Sequence, residues 1–433
     1  MNIRLCAIAV FIGGSISAHA QTLEQAIAIT LATNPEIKSA FNDYMSYQKD
    51  NESATGAYRP KINLDAGVGF ESVDSVSNSR TNLNRKDATL SLNQLIWDGS
   101  STLNNIDRTA AETESMRFQL IANAQDKALA VASIYLDAVK ANEILKLSES
   151  NLAVHKKIYN DIKRRAESGI GSTADVSQVE ARLAKAHGNL LAAQNNLFDT
   201  HTQFTRLVGQ RPQGLVFPRA DVTALPLTFQ QALVSAYSIH PVIKVASADV
   251  DAARFQYEQT KGVNYPTLSF EAAQTWRDDA GGLEGSSNET SAMLRVRYNL
   301  YNGGSDEANS ERAAYQLNKA KDLRDRTHRN IQESLQLSWS ALDLTLQQKE
   351  FLEDHVDSAS NTVIAYEKQY RIGKRTLLDL LNTENELFEA RKAYVDANYA
   401  EQLAKYRVMN ASGNLLDALR VDIPEEWTKS QNY

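Results

Sequence analysis

Apolar residues recur along most of this chain at steps of three and four. Leu352, Val356, Ala359, Val363, Tyr366 and Tyr370 keep that rhythm, which places them on one stripe of a helix made to pack lengthwise against another. Gly373 interrupts the stripe, as glycine does where a helix ends in a left-handed residue. Thr376, with Asp379 three residues on, carries the capping signature of a new helix. Leu377, Leu381, Phe388, Val395, Tyr399 and Tyr406 then bring the stripe back. The same arrangement occurs earlier. Gly169 lies 204 positions before Gly373, and Asp175 lies 204 before Asp379. Ser172 to Asp175 reads as a second capping box, followed by a heptad run through Val176, Val179, Leu183, Ala186, Leu190, Ala193 and Leu197. The pattern predicts two hairpins of long helices with their turns at Gly169 and Gly373.

Elsewhere the period changes to two. Ile62, Leu64, Ala66, Val68 and Phe70 alternate with Lys61, Asn63, Asp65 and Glu71, which predicts a strand with one apolar and one polar face. A polar stretch, Ser72 to Lys86, reads as a loop to a second strand over 87–97, with Leu90, Leu92 and Ile96 on one side. The later half copies this with Leu268, Phe270, Ala272 and Trp276, a loop from Asp278 to Asn288, and then Leu294, Val296, Tyr298 and Leu300. The predicted hairpins span 61–97 and 267–301.

Landmarks match in order between the two halves. Thr22-Leu-Glu-Gln-Ala26 pairs with Thr228-Phe-Gln-Gln-Ala232, Asn34-Pro35 with His240-Pro241 and Pro60 with Pro266, all at an offset of 206. Trp97-Asp-Gly99 pairs with Tyr301-Asn-Gly303 at 204. A tandem repeat follows. The predicted organisation is a signal segment over 1–20, a first repeat over 21–212, a proline-marked linker over 213–226, a second repeat over 227–419 and a short polar tail over 420–433. Long helices are expected over 102–168 and 306–372, each about 100 Å at ~1.5 Å per residue.

Composition narrows the function. Arg4, the apolar run Leu5–Ile12 and the small-x-small motif Ala18-His-Ala20 read as a secretory signal. The only cysteine, Cys6, falls before that motif, so the chain from Gln21 has no thiol for disulfides, metal sites or lipid. Loss of Arg4, the one charged residue of the segment, moves the formal charge from −7 to −8. An acidic chain without a basic stripe argues against nucleic acid. The seven histidines are scattered without metal-ligand spacing, and no nucleophile motif, phosphate loop or acid–base pair occurs, so neither enzyme, metal nor cofactor is expected. Gly169-Ile-Gly171-Ser-Thr-Ala174 matches a dinucleotide fingerprint only formally, since it follows a helix rather than a strand. Asp278-Asp279 reads as part of a solvated loop.

The strands suggest a membrane. Each is about the ~9–11 residues that cross a bilayer as a tilted strand, and a two-faced pattern is that of a water-filled barrel. Four strands cannot close, and lipid does not tolerate an open edge. Two chains would supply eight strands and a bore filled by side chains; three would supply twelve and an aqueous lumen.

This organisation resembles the TolC family of outer-membrane ducts over essentially the whole chain after the signal. The resemblance rests on Thr22-Leu-Glu-Gln-Ala-Ile with Asn34-Pro35, on Tyr58-Arg-Pro60, and on Leu95-Ile-Trp-Asp-Gly99 with Leu300-Tyr-Asn-Gly-Gly304. Tyr370-Arg-Ile-Gly-Lys-Arg-Thr-Leu-Leu-Asp379 completes it. It implies a mixed α and β membrane protein: a homotrimer with a twelve-stranded outer-membrane β-barrel, four strands per chain, continued by a long α-helical coiled-coil tunnel in the periplasm. It also implies a periplasmic adaptor, an inner-membrane ABC or RND-type transporter, and outer-membrane lipid as partners. Ser168-Gly-Ile-Gly-Ser-Thr-Ala-Asp-Val-Ser-Gln178 looks closest to the branch that exports large proteins such as adhesins by type I secretion; small-molecule efflux is the alternative cargo. A periplasmic coiled-coil adaptor without a pore is the rival of another class, and it has no use for lipid-facing Val68, Phe70 and Trp276.

The resemblance also implies a periplasmic gate. Tyr370, Arg375 and Asp175 take the positions of its lock, and Asp379 that of a carboxylate ring at the tunnel entrance. Asn382 stands where some members carry a second aspartate, and Ala174 where a hydroxyl supports the lock. Each residue has a plainer reading as well. Asp175 and Asp379 suit the third position of a helix, Tyr370 suits a last packing position, and Arg375 suits a solvated tip. Tyr370 and Arg375 align with Ala166 and Gly171 of the first repeat, an asymmetry that packing alone does not require.

Overall fold

The computed structural model describes residues 21–75 and 78–428. The expected signal segment, with Cys6, and the last residues of the tail lie outside the described residues. The element order is α1 (Leu23–Thr33), α2 (Pro35–Thr55), β1 (Lys61–Ser75), β2 (Asn78–Trp97), α3 (Ser101–Glu167) and α4 (Thr173–Val208). It continues with α5 (Phe229–Ile239), α6 (Pro241–Lys261), β3 (Thr267–Ala280), β4 (Leu283–Arg297), α7 (Ser305–Arg371) and α8 (Leu377–Ala411), and ends in α9 (Leu415–Ala418) and α10 (Glu425–Thr428). The second six elements repeat the first six in kind and order, and α3 and α7 both have 67 residues.

Local chemistry sets these boundaries. Thr22 and Gln25 form a reciprocal capping box that starts α1. Pro241 opens α6 at its first turn, where a missing N–H costs nothing, and His240 caps it through Nδ1, which accepts from Val242 N–H at 3.2 Å.

The chain forms two compact units, each drawing segments from both halves. The first comprises the described residues to Pro35, Ala124–Val234 and Ser334–Asp422. The second comprises Glu36–Asn123, Ser235–Glu333 and the chain from Ile423.

In the second unit the four strands form one antiparallel sheet in the order β1-β2-β3-β4. Residues directly opposed across antiparallel strands share a face, so the register sorts the side chains. Rows such as Ile62, Leu92, Ala272 and Ala292, or Phe270 with Leu294 and Leu268 with Val296, make one face apolar. The other face carries Asp65, Thr89, Thr275 and Glu289, and next to them Asp87, Arg277 and Ser287. Ion pairs tie that face together: Arg85 to Asp87 at 2.8 Å, Arg277 to Glu289 at 3.1 Å and Arg295 to Glu271 at 2.6 Å. The apolar face is bare, with Val68 84 % and Phe70 71 % exposed.

The strands run further than their apolar alternation. The stretch 72–86, expected to be a loop, is mostly ladder: Ser72 pairs with Asn82, Val73 with Thr81 and Glu71 with Leu83. In the other hairpin Ala280 pairs with Leu283 across a two-residue turn, Gly281 and Gly282, both at positive φ as such turns require. Backbone pairing does not depend on side-chain polarity, so a strand wet on both faces leaves no alternation to read. At the other end β4 stops at Arg297, short of Leu300. Asp278 and Asp279 are engaged rather than merely solvated: Asp278 pairs with Lys86 at 3.4 Å, and Asp279 accepts from Gly285 N–H at 2.9 Å.

The first unit is built on long helices; of the α7 stripe Ala359 and Val363 are buried and Leu352, Val356, Tyr366 and Tyr370 half-buried. Leu377, Leu381, Phe388, Val395, Tyr399 and Tyr406 are all buried on α8. The segment 213–226 is pinned to this unit. Val216 N–H donates to Tyr135 Oη at 3.1 Å, Ala220 N–H donates to Gln402 Oε1 at 3.1 Å, and Phe217 meets Tyr399 edge-on at 5.0 Å.

Candidate functional site

The two helical hairpin tips lie in the first unit. In the first, Gly169 at φ 76° ends α3, and the N–H groups of Gly169 and Ile170 turn back to the carbonyls of Ala166 and Arg165, both at 3.0 Å. In the second, Gly373 at φ 74° ends α7, with Gly373 N–H on Tyr370 O at 3.0 Å and Lys374 N–H on Gln369 O at 2.9 Å. A side chain at either glycine would meet nothing within 4 Å, so it is the left-handed backbone that calls for glycine.

The helices that restart differ. Asp379 N–H donates to Thr376 Oγ1 at 3.2 Å, and Asp379 Oδ2 accepts from Thr376 N–H at 3.2 Å, a closed capping box. Those Thr376 bonds, with the nearby Arg375 charge, hold the Asp379 carboxyl below its ordinary value. At the first tip Ser172 Oγ accepts from Ala174 N–H at 3.1 Å, and no reciprocal bond from Asp175 closes the expected box. Asp175 is therefore less committed to its own helix end than Asp379.

Below the turns, Ile162, Val179, Leu377 and Leu381 form a core shared by α3, α4 and α8, and Tyr370 packs on it from α7. Burial pushes the Tyr370 hydroxyl up; the Arg165 guanidinium, 5.5 Å from its ring, opposes that, while the charges of Asp175 and Asp161 add to it. Arg375, in the turn, lies back on α7, 4.2 Å over the Tyr366 ring with Nε donating to Gln369 Oε1 at 3.1 Å, and is otherwise exposed. Within one chain, then, Tyr370 packs on the shared core with Arg165 over its ring, while Arg375 lies on Tyr366 and Gln369.

Three side chains here carried no signal in the sequence pattern: Arg165, Gln369 and Arg182. The last donates from a guanidinium N–H to Asn382 Oδ1 at 2.9 Å, next to Lys185 on Asn385 at 3.0 Å, so Asn382 serves as an acceptor between α4 and α8. The asymmetry between the tips has a steric component. A Cβ at Gly171, the counterpart of Arg375, would sit 3.0 Å from Ala166 N, too tight without backbone movement.

Comparison with known proteins bears on this arrangement. The sequence model of a family described as outer membrane efflux protein matches residues 26–210 and again 232–414. The chain belongs to that family. Among curated relatives, the outer membrane efflux protein BepC of Brucella suis biovar 1 (strain 1330) is 26% identical, covering 98% of this chain and 94% of its own. The outer membrane protein TolC of Escherichia coli (strain K12) is 23% identical over 93% of this chain and 84% of its own. The alkaline protease secretion protein AprF of Pseudomonas aeruginosa is 23% identical over 90% and 84%. A solved membrane protein structure from Pseudomonas aeruginosa shares the fold, with a TM-score of 0.82, 15% identity and 90% of each chain covered. This outer membrane efflux protein is thus an outer-membrane channel protein of the TolC type, mostly helical with four strands per chain. Its two matched segments coincide with the two runs of six elements.

Proposed function

We propose that three copies of this efflux protein close their sheets into one twelve-stranded barrel, and that the helical tips form a gated periplasmic mouth. The observation that carries the reading is the sheet. It has one bare apolar face and one ion-paired face, and its edge strands β1 and β4 pair with nothing further among the described residues. Lipid does not accept unpaired backbone, so such a sheet needs copies of itself to close. From Leu268 to Trp276 the apolar face runs about 26 Å along the strand, similar to the ~25 Å apolar band of such barrels before tilt is taken into account. Twelve strands leave room for water beside the Arg85, Arg277 and Arg295 pairs, whereas eight would not.

At the mouth, the Asp175 charge acts on the half-buried Tyr370 hydroxyl, and Arg375 is exposed, near the Asp379 carboxylate but in no ion pair among the described residues. The reading is that Arg375 reaches Asp175 of a neighbouring copy, and that Asp379 rings the entrance while capping its helix. A periplasmic adaptor and an inner-membrane transporter of ABC or RND type would open this lock. The cargo favoured is a large protein such as an adhesin, carried by type I secretion. The run from Ser168 to Gln178 and the similarity to a protease secretion protein support it; the similarity to an efflux protein supports small-molecule cargo as the second reading.

Extraction from outer membranes as a heat-labile trimer that conducts ions is expected; a soluble monomer would sink the reading. Arg375→Ser and Tyr370→Phe should each raise single-channel conductance, and no change in either means that other contacts close the mouth. A deletion strain separates the cargoes: loss of the surface adhesin with unchanged drug tolerance supports protein export, and the reverse supports efflux.

A further inference from the structure

Gln21 presents chemistry that neither the channel wall nor the hairpin tips use. It is 7 % exposed. Its backbone N–H donates to Gln213 O at 3.1 Å, and its side-chain Oε1 accepts from Gln213 N–H at 3.4 Å. Both groups thus engage the backbone of one residue, which brings the side-chain amide back towards its own main-chain nitrogen. The Gln21 carbonyl is held as well, accepting from the buried Tyr135 hydroxyl at 2.7 Å. Only Nε2 is left over: it is buried and has no hydrogen-bond partner among the described residues. A buried donor left in that state is costly.

We propose that, once the chain is cleaved after Ala20, Gln21 closes to a pyroglutamyl residue and that the fold promotes the closure. This rests on reading Ala18-His-Ala20 as the cleavage motif. The freed α-amine attacks the side-chain carbonyl carbon. A bond forms between N and Cδ, the bond from Cδ to Nε2 breaks, the amine proton passes to Nε2, and ammonia leaves. No oxidant, reductant or cofactor enters the balance.

Three features converge on this step. The atom expelled is the one without a partner. The groups retained, a ring N–H and a ring C=O on the same side of a lactam, are the two already bound to Gln213, whose own N–H and C=O can point to one side as in a paired strand residue. Finally, a free α-ammonium here would be a poorly hydrated charge, one residue before the Thr22 cap of α1, where the positive end of the helix dipole repels a cation. Both effects favour the neutral amine, which is the nucleophile, and the lactam removes the charge altogether.

Pulse-labelled cells, with the N-terminal peptide followed by mass spectrometry, test the proposal. The expected peptide begins at residue 21, is lighter by one ammonia and is blocked to stepwise degradation. Conversion should run roughly tenfold faster than in a free peptide of residues 21–30, the gain of one fixed near-attack geometry. Gln213→Pro, which deletes the donor to Oε1, should slow conversion while the trimer still assembles. A peptide starting elsewhere overturns the cleavage reading and the proposal with it. A peptide starting at an intact Gln21 overturns cyclisation alone, and a rate equal to the free peptide's removes the role of the fold.

Discussion

The two hairpin tips share a backbone and differ in chemistry. Each ends a 67-residue helix in a left-handed glycine, and each restarts on a hydroxyl cap. Yet the second tip carries Tyr370, Arg375 and a closed Thr376–Asp379 box, where the first has Ala166, Gly171 and a one-sided Ser172 cap. A duplicated turn is held by a few backbone bonds and one positive φ, so the side chains around it are free to diverge. What the difference teaches is that the backbone frame of the tips is symmetric between the repeats while their polar contacts are not.

The hardest test of that comparison removes what the tips share. Leu381 is fully buried in the core between α3, α4 and α8, so Leu381→Ala should cost about 2–5 kcal/mol of local stability. Hydrogen exchange should then accelerate at both turns together; acceleration at the second alone would show that the tips are independent. Gly373→Ala and Gly169→Ala come next. With matching φ and open space at both, each should cost about 1–2 kcal/mol, and by nearly the same amount. Unequal losses would locate a hidden strain in one turn.

The caps should part company. Thr376→Ala deletes a two-way box and should cost about 1 kcal/mol, and Ser172→Ala less, measured by exchange at the first turns of α8 and α4. The smallest effect is one of pH. His155 is buried where the second repeat has Ala359, and burial, with the charges of Arg182 and Lys185, holds its imidazole below the usual value near 6.5. The unfolded chain then binds the proton more readily. Stability in the first hairpin is full above about pH 6.5 and declines as the pH falls below it. His155→Ala should flatten that acid slope in thermal melts, and an unchanged slope would assign it to other groups.

Much of this architecture was legible beforehand, because it rests on interactions between near neighbours. A cap at Thr376, a glycine at 373 and a stripe at steps of three and four act within one or two turns of helix, so pattern alone places α7 and α8 to within a residue or so. The strand extensions at 72–75 and 78–86 were not legible, since backbone pairing beyond the apolar band imposes no side-chain pattern. The cap at Ser172 misled for another reason: Asp at the third position permits a capping box without compelling it, and here the hydroxyl takes the N–H of Ala174 instead.

By itself, the sequence determined the repeat, the helix ends, the two faces of each strand and the aromatic and charged residues of the second tip. Only the tertiary structure decided who meets whom. The pairing of β2 with β3 joins the two halves of the chain, and its register sets which rows line each face. Arg165 rather than Arg375 lies over Tyr370, Asn382 accepts from Arg182, and Gln21 folds back on Gln213. These contacts join residues on different elements, brought together by packing and strand register. No periodicity along one element records its neighbour across a helix interface. That is the physical reason the tip residues could be named from the chain, while their partners had to be found in the fold.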